Sequence, residues 1–312
     1  MSRPTLLVAS TGGHLTQLID LAGRLSSVND AVWVTFPSDQ AATALAGSKV
    51  ETVRYIPPRG YAPLLRALPR ALAILAKHRP RQVISTGSGI ALAFLPLAPL
   101  FGARAVYIES ATRSQGPSAT GSLLARLPWV GLYTQHQAQA TDRWAYAGSV
   151  FEGFAAQQVE TRTPRSFVVT LGTMETFGFR RLVDRLLTIL PADAEVMWQT
   201  GVTPLDGLDI EGRVSVPSHE LEAAIRAADV VIAHAGTGTA LTSMRLGKRP
   251  ILVPRRAQHG EHVDDHQLQT ADLLAGQGLA LTVEVEALTA ETLEEATAAV
   301  ITRHESPPNL RL

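Results

Sequence analysis

Short, largely apolar runs of three to six residues alternate along the chain with longer segments whose apolar positions recur at three- and four-residue spacing. The first pattern suits strands covered on both faces and the second suits helices packed on one side. Their alternation predicts parallel sheets flanked by helices, an α/β fold. In the first half, strands are predicted at Thr5–Ala9, Ala31–Phe36, Val50–Tyr55, Gln82–Ser85, Ala105–Ile108 and Gly131–Thr134. Helices are predicted near His14–Leu25, Gln40–Ala46, Pro69–His78, Ile90–Phe101 and Thr120–Arg126. The alternation restarts with strands at Ser166–Thr170, Glu195–Gln199, Arg213–Val216, Val230–Ala233 and Ile251–Val253. Helices follow near Phe179–Leu190, Glu220–Ala227, Thr239–Leu246, Asp264–Gly276 and Ala290–Arg303. Between the halves, Gly148–Arg165 is weakly periodic and is placed as a linker. The predicted domains are 1–155 and 156–312, with the final helix able to pack back on the first.

Two strands end alike. Thr5–Ala9 breaks at Ser10-Thr11-Gly12-Gly13-His14, and Val230–Ala233 breaks at His234-Ala235-Gly236-Thr237-Gly238-Thr239. A strand that turns on glycines into a helix offers free backbone N–H groups at the positive end of the helix dipole, where phosphates bind. A branched side chain at Gly236 is expected to fill the space a diphosphate needs. His14 falls at the carboxyl end of the first strand, where open α/β sheets bind ligands, and an imidazole there can take a proton from a hydroxyl. Glu109, just past Ala105–Ile108, is either a structural group that caps or pairs with Arg113, or a second acid or base. Ser85-Thr86-Gly87-Ser88-Gly89 is either another ligand loop or a plain connection. In the second half, Thr170-Leu171-Gly172-Thr173 and Trp198-Gln199-Thr200-Gly201 put hydroxyls and glycine at strand ends.

Composition narrows the function. The chain has 312 residues, 46% hydrophobic and 18% charged, which describes a well-buried globular protein. It has no cysteine, so a disulfide framework, thiolate metal sites and a cysteine nucleophile are excluded. Zero net charge hides a split: residues 1–160 carry 14 Lys and Arg against 8 Asp and Glu, and residues 161–312 carry 14 against 20. The first half is therefore the one suited to an anionic surface. Basic residues are scattered without interleaved aromatics, so no nucleic-acid partner is expected. Met1-Ser2-Arg3-Pro4 leads directly into a strand, which predicts no signal peptide. Ile90–Phe101 is shorter than the roughly 20 residues a membrane span needs. Gly87-Ser88-Gly89 and Gly236-Thr237-Gly238 lack the third glycine of the dinucleotide fingerprint, which disfavours NAD. His259, His262 and His266 invite a metal, with His262 and His266 one helical turn apart, but no His-Glu-x-x-His motif is present. The expectation is no metal and no cofactor.

Ser-Thr-Gly-Gly-His at 10–14, Ile-Ser-Thr-Gly at 84–87 and Tyr-Ile-Glu-Ser at 107–110 are followed by three further motifs. These are Val-Thr-Leu-Gly-Thr at 169–173, Gln-Thr-Gly at 199–201 and Ala-His-Ala-Gly-Thr-Gly at 233–238. Taken in order, they resemble the MurG-like GT-B glycosyltransferases of family 28. The chain looks like a fusion of the acceptor and donor subunits of the transferase that adds the second GlcNAc to dolichol-pyrophosphate-GlcNAc, and of bacterial exopolysaccharide relatives.

That resemblance implies two Rossmann-like domains facing a cleft and an inverting, metal-independent transfer of a hexose-type sugar from a UDP-sugar to a polyprenyl-linked glycan. It implies His14 as base, with Glu109 as the second choice. Donor contacts fall to Gly12, Gly13, Gly172, Thr173, Gln199, Thr200, Gly201, Val216, His234, Ala235, Gly236, Thr237, Gly238, Thr239, His266 and Gln267. Acceptor contacts fall to Thr11, Thr86, Gly87, Ser110 and Arg113. The family usually has a ribose-binding glutamate where this chain has Thr242, so the ribose contact and the donor sugar stay open. Residues 61–79, with Leu64, Leu65, Leu68, Leu72 and Leu75 beside Arg66, Arg70 and Lys77, form either a basic amphipathic membrane surface or, since Pro69 interrupts it, a core helix with solvated charges. The location implied is cytoplasmic, with peripheral membrane contact. The rival functions are transfer to a soluble small molecule and non-catalytic binding of a sugar nucleotide.

Overall fold

The computed structural model describes residues 3–25, 30–57, 60–172, 176–262 and 266–312, with the backbone alone for His266. The chain forms two compact units, 1–152 together with 306–312, and 153–305. The first is built from β1 (Thr5–Val8), α1 (Gly13–Ala22), β2 (Ala31–Thr35), α2 (Asp39–Ala44), β3 (Lys49–Thr52), α3 (Tyr61–His78), β4 (Gln82–Ser85), α4 (Gly89–Phe94), β5 (Arg104–Ile108), α5 (Ala119–Leu124), β6 (Val130–Thr134) and β7 (Trp144–Tyr146). Its parallel sheet has the order β3-β2-β1-β4-β5-β6-β7. The order reverses direction between β1 and β4, so the loops after these neighbours, 9–13 and 86–88, lie together at the carboxyl edge. Leu6, Val8, Val83 and Tyr107 are fully buried in the core beneath that edge.

The second unit contains β8 (Phe154–Gln158), β9 (Ser166–Thr170), α6 (Arg180–Ile189), β10 (Glu195–Gln199), β11 (Gly212–Arg213), α7 (Ser218–Ala227), β12 (Val230–His234), α8 (Thr237–Arg245), β13 (Ile251–Val253), α9 (His266–Gly276), β14 (Leu281–Thr282), α10 (Ala290–Thr297) and β15 (Ala299–Arg303). The parallel sheet β11-β10-β9-β12-β13-β14 repeats the Rossmann-like plan, with β9 and β12 as neighbours. The fold is GT-B, with two Rossmann-like parallel-sheet domains.

Four expectations are corrected. The predicted helix Ala290–Arg303 stops at Thr297, and Ala299–Arg303 pairs antiparallel with Phe154–Gln158, inside the segment placed as a linker. Both strands leave most positions exposed, so neither carries the apolar run by which strands were recognised. Pro69 does not break α3, which is continuous from Tyr61 to His78. Leu65 and Pro69 share the exposed face, where water can take the carbonyl that proline leaves without a donor. The predicted helix Ile90–Phe101 ends at Phe94, and Ala98–Phe101 forms a separate 3₁₀ turn. The final helix belongs to the second unit. The segment that joins the first is 306–312, held by Arg24 Nε on the Pro308 carbonyl at 2.7 Å and by Arg311 N on the Ala147 carbonyl at 3.0 Å. Among the described residues no helix is long and apolar enough to cross a membrane.

Candidate active site

In the first unit the site grows from α1. His14 is its second residue, and the ring turns toward the neighbouring strand-end loop, with Nδ1 2.8 Å from the carbonyl oxygen of Thr86. The Thr86 hydroxyl returns a hydrogen bond of 2.9 Å to the His14 carbonyl. Gly87 sits at φ +123°, and a Cβ there would lie 2.9 Å from His14 Cε1. The loop that was either a connection or a ligand loop is the seat of His14. A carbonyl only accepts, so Nδ1 carries the proton and Nε2 keeps a lone pair. Burial lowers the imidazole's proton affinity below the ordinary histidine value, against the opposing pull of the Thr86 carbonyl and Glu109. The ring is neutral at pH 7. Gly12 is clamped from outside by Gln40, whose Oε1 accepts from Gly12 N at 2.6 Å while Nε2 donates to Gly12 O at 3.2 Å.

Glu109 is 2% exposed and its carboxylate is saturated. Oε1 accepts from the Tyr107 hydroxyl (3.0 Å) and Ser110 N (3.1 Å), and Oε2 from Ser118 N (2.8 Å) and Ser118 Oγ (3.0 Å). These bonds pin the loop from Ser110 to Ser118. Among the described residues Arg113 makes no ion pair with Glu109; its charge opposes protonation of His14. Ser110 Oγ accepts from Gln17 Nε2 at 3.0 Å. Gln17 Oε1 takes Ala111 N at 2.9 Å, and Gln135 Nε2 donates to the Glu109 carbonyl at 3.0 Å. This buried amide network is missed in the sequence. Beside Glu109 opens a cavity of about 250 Å³ walled by Gly116, Pro117, Thr134, Gln139, Thr141 and Trp144.

The second unit repeats the design. His234 ends β12 with Nδ1 3.4 Å from the Thr170 carbonyl. Burial, and after it the nearby charge of Arg255, lowers its pKa to about 3. Its ring lies across two glycines: a Cβ on Gly172 would meet Cε1 at 2.7 Å, and a Cβ on Gly236 would meet Cε1 at 2.9 Å and Nε2 closer still. The reason for glycine at 236 is therefore the His234 ring, before any diphosphate. Gly201 closes on this loop, where a Cβ would stand 2.5 Å from the Gly172 carbonyl. α8 starts just beyond with no side-chain cap, so the first-turn N–H groups of Thr237, Gly238 and Thr239 are open to a ligand. Thr237 is 6% exposed and its hydroxyl has no partner. Around this centre, Gln199 Oε1 accepts from Thr170 Oγ1 at 2.6 Å, and Thr200 N donates to the Arg213 carbonyl at 2.9 Å. Val216 and Ala235 are buried.

Gln267 Oε1 accepts from the backbone N of Arg255 at 3.1 Å. Arg255 itself is missed in the sequence, where it follows the apolar run Ile251–Pro254 as one of two arginines. Its guanidinium is 1% exposed and reaches the Leu171 carbonyl at 2.7 Å. Thr173, Asp264 and Asp265 lie outside the described residues. His262 lies in a bend and not on a helix, so it is no helical-turn neighbour of His266; its ring is stacked on Phe177 at 5.8 Å. Among the described residues no three His, Asp or Glu side chains are grouped to hold a metal.

The chain is similar to known proteins along most of its length. Residues 167–309 match the glycosyltransferase family 28 C-terminal domain. The chain is 26% identical over 309 residues to the UDP-N-acetylglucosamine–N-acetylmuramyl-(pentapeptide) pyrophosphoryl-undecaprenol N-acetylglucosamine transferase of Chlorobium luteolum, covering 88% of this chain and 83% of that protein. It is 27% identical over 328 residues to the same transferase of Ralstonia nicotianae, covering 95% and 88%. Among solved structures, Acinetobacter baumannii MurG superposes with a TM-score of 0.57 at 18% identity over 94% of this chain and 89% of that one. The spinosyn rhamnosyltransferase SpnG in complex with thymidine diphosphate gives 0.54 at 18% identity, over 94% and 90%.

Proposed function

We propose that the chain, whose residues 167–309 match the family 28 C-terminal domain, is a MurG-like UDP-sugar transferase that moves a hexose-type sugar from a UDP donor to a hydroxyl of a lipid-linked glycan precursor. The sugar is GlcNAc or a related hexose or uronic acid, and transfer inverts the anomeric carbon. One observation carries the mechanism: His14 is neutral, with Nδ1–H held by Thr86 and Nε2 left with its lone pair. Nε2 takes the proton of the acceptor hydroxyl as that oxygen bonds to the anomeric carbon, and UDP leaves with the bonding electrons. Glu109, with four donors on its carboxylate, is suited to holding the Ser110–Ser118 loop and is the second candidate. Thr11, Thr86, Gly87, Ser110 and Arg113 would border the acceptor.

In the second unit the N–H groups that open α8 and the Thr237 hydroxyl, without a partner among the described residues, would hold the diphosphate, so its charge is met by fixed dipoles and needs no metal ion. Gln267, its carbonyl oxygen engaged by Arg255 N, would offer its amide nitrogen to a sugar hydroxyl.

The lipid-linked acceptor is supported by α3. Tyr61, Leu65 and Leu72 are 68%, 64% and 39% exposed, and Arg66, Arg70 and Lys77 are exposed beside them. Arg70 and Lys77 pair with Glu51, and the exposed apolar stripe with Arg66 beside it suits an anionic bilayer surface. A soluble acceptor would leave this stripe without a role. The test is a panel of UDP-, GDP- and TDP-sugars read by thermal shift, followed by transfer to polyprenyl-pyrophosphate sugars and to soluble glycosides, with and without anionic vesicles. Selective stabilisation by one UDP-sugar and transfer to the polyprenyl acceptor, enhanced by vesicles, is expected. Stabilisation by none of them, or transfer confined to soluble glycosides, would refute the proposal.

A further inference from the structure

Arg255 is an unusual cation. It follows β13 at the carboxyl edge of the second sheet and is among the largest fully buried side chains of the chain. Among the described residues no carboxylate forms an ion pair with it. The nearest acid acting on it, Glu261, is held through both oxygens by Arg181 at 3.0 Å and also accepts from Arg256 N. The guanidinium stands 5.7 Å from the centre of the Phe179 ring, donates from Nη2 to the Leu171 carbonyl, and leaves Nε with no hydrogen-bond partner among the described residues. A buried, unpaired charge is costly to fold around, and hydrophobic replacements of buried ionic groups are often neutral or stabilising. Its presence calls for an anion that arrives later.

Its neighbours say where. Leu171 immediately precedes Gly172, whose backbone lies under the His234 ring, and that ring also covers Gly236 at the start of α8. The positive charge thus stands behind the loop that faces the open N–H groups, and it is felt at His234, whose protonation it opposes. A neutral His234 and a charged Arg255 divide two tasks, one shaping the loop and the other supplying charge.

Resting on the assignment of the donor to this unit, we propose that Arg255 is the positioning residue for the diphosphate of the donor: it fixes the Leu171–Gly172 loop through the Leu171 carbonyl and supplies the positive field that favours a nucleoside diphosphate over a nucleoside. It acts from behind the loop, without being a catalytic group. The chain would thereby select for the charge of the leaving group with a fixed cation that needs no metal loading.

The test is calorimetric titration of the full chain with uridine, UMP and UDP. Wild type should bind UDP at least tenfold more tightly than uridine. Arg255→Gln, which can still donate to the Leu171 carbonyl, should keep uridine affinity and lose at least tenfold of the preference for UDP. Arg255→Lys, which keeps the charge but loses the planar fork, should fall between them. A role in folding alone would lower affinity for all three ligands together. Equal losses for uridine and UDP, or an unchanged UDP preference in Arg255→Gln, would overturn the proposal. If Arg255→Gln does not melt cooperatively, Arg255→Lys decides alone: a preference at least threefold below wild type supports the proposal and an unchanged one overturns it. A wild type that shows no preference for UDP contradicts instead the placement of the donor in this unit.

Discussion

Nδ1 of His14 donates to the carbonyl oxygen of Thr86 at 2.8 Å, and the ring has no freedom to exchange its tautomer. Burial lowers the pKa of this imidazole below its ordinary 6.5. A base works in its deprotonated form, so the acid limb of the pH profile is set by the folded pKa. The log of kcat/KM should stay flat as pH falls through 6.5, and its unit-slope decline should be centred below that value. A limb centred above pH 7 would exclude a buried neutral histidine as the base.

Stability should follow pH in the same direction. His234 titrates near 3 when folded and near 6.5 when unfolded, so below pH 6.5 the unfolded chain binds the extra proton. Its contribution is complete above pH 6.5 and is lost as pH falls toward 3, at up to about 1.4 kcal/mol per pH unit. His234→Phe should flatten the decline in melting temperature between pH 6.5 and 5. Parallel curves for wild type and variant would show that His234 does not titrate there.

Gly236 faces the ring of His234. A Cβ at 236 would meet Cε1 at 2.9 Å and Nε2 closer still, while its φ of −82° is open to any residue. Gly236→Ala should therefore destabilise the second unit by about 1–3 kcal/mol, as overpacking does. Adding His234→Ala should recover most of that loss. Additive losses in chemical denaturation would mean that the clash lies elsewhere.

Glu109→Gln keeps shape but turns an N–H₂ toward Ser118 N–H, leaving a buried donor unmet. The expected cost is about 1–3 kcal/mol of stability together with slower transfer. An unchanged melting temperature would exclude the role of Glu109 in pinning the loop.

Much of this was legible in the sequence because buried parallel strands write themselves as apolar runs. Gln82–Ser85, Ser166–Thr170, Glu195–Gln199 and Ile251–Val253 have the predicted bounds. The place of His14 at a helix start was legible because Gly12 and Gly13 end the strand just before it. What escaped depends on distant neighbours. β8 and β15 hold each other as an exposed ribbon, so neither shows an apolar signature. Whether Pro69 broke a helix depended on which face met water. The burial of Arg255 depends on Phe179 and Leu171, 76 and 84 residues away in sequence, and local pattern carries no trace of either.

The central claim divides the chemistry, with the base in the first unit and the donor in the second. Donor titration and single-turnover transfer with His14→Ala test it together. The variant should bind the UDP-sugar within about twofold of wild type and transfer it about 10²–10⁴-fold more slowly. Transfer at the wild-type rate, or loss of donor binding with transfer, would contradict the account.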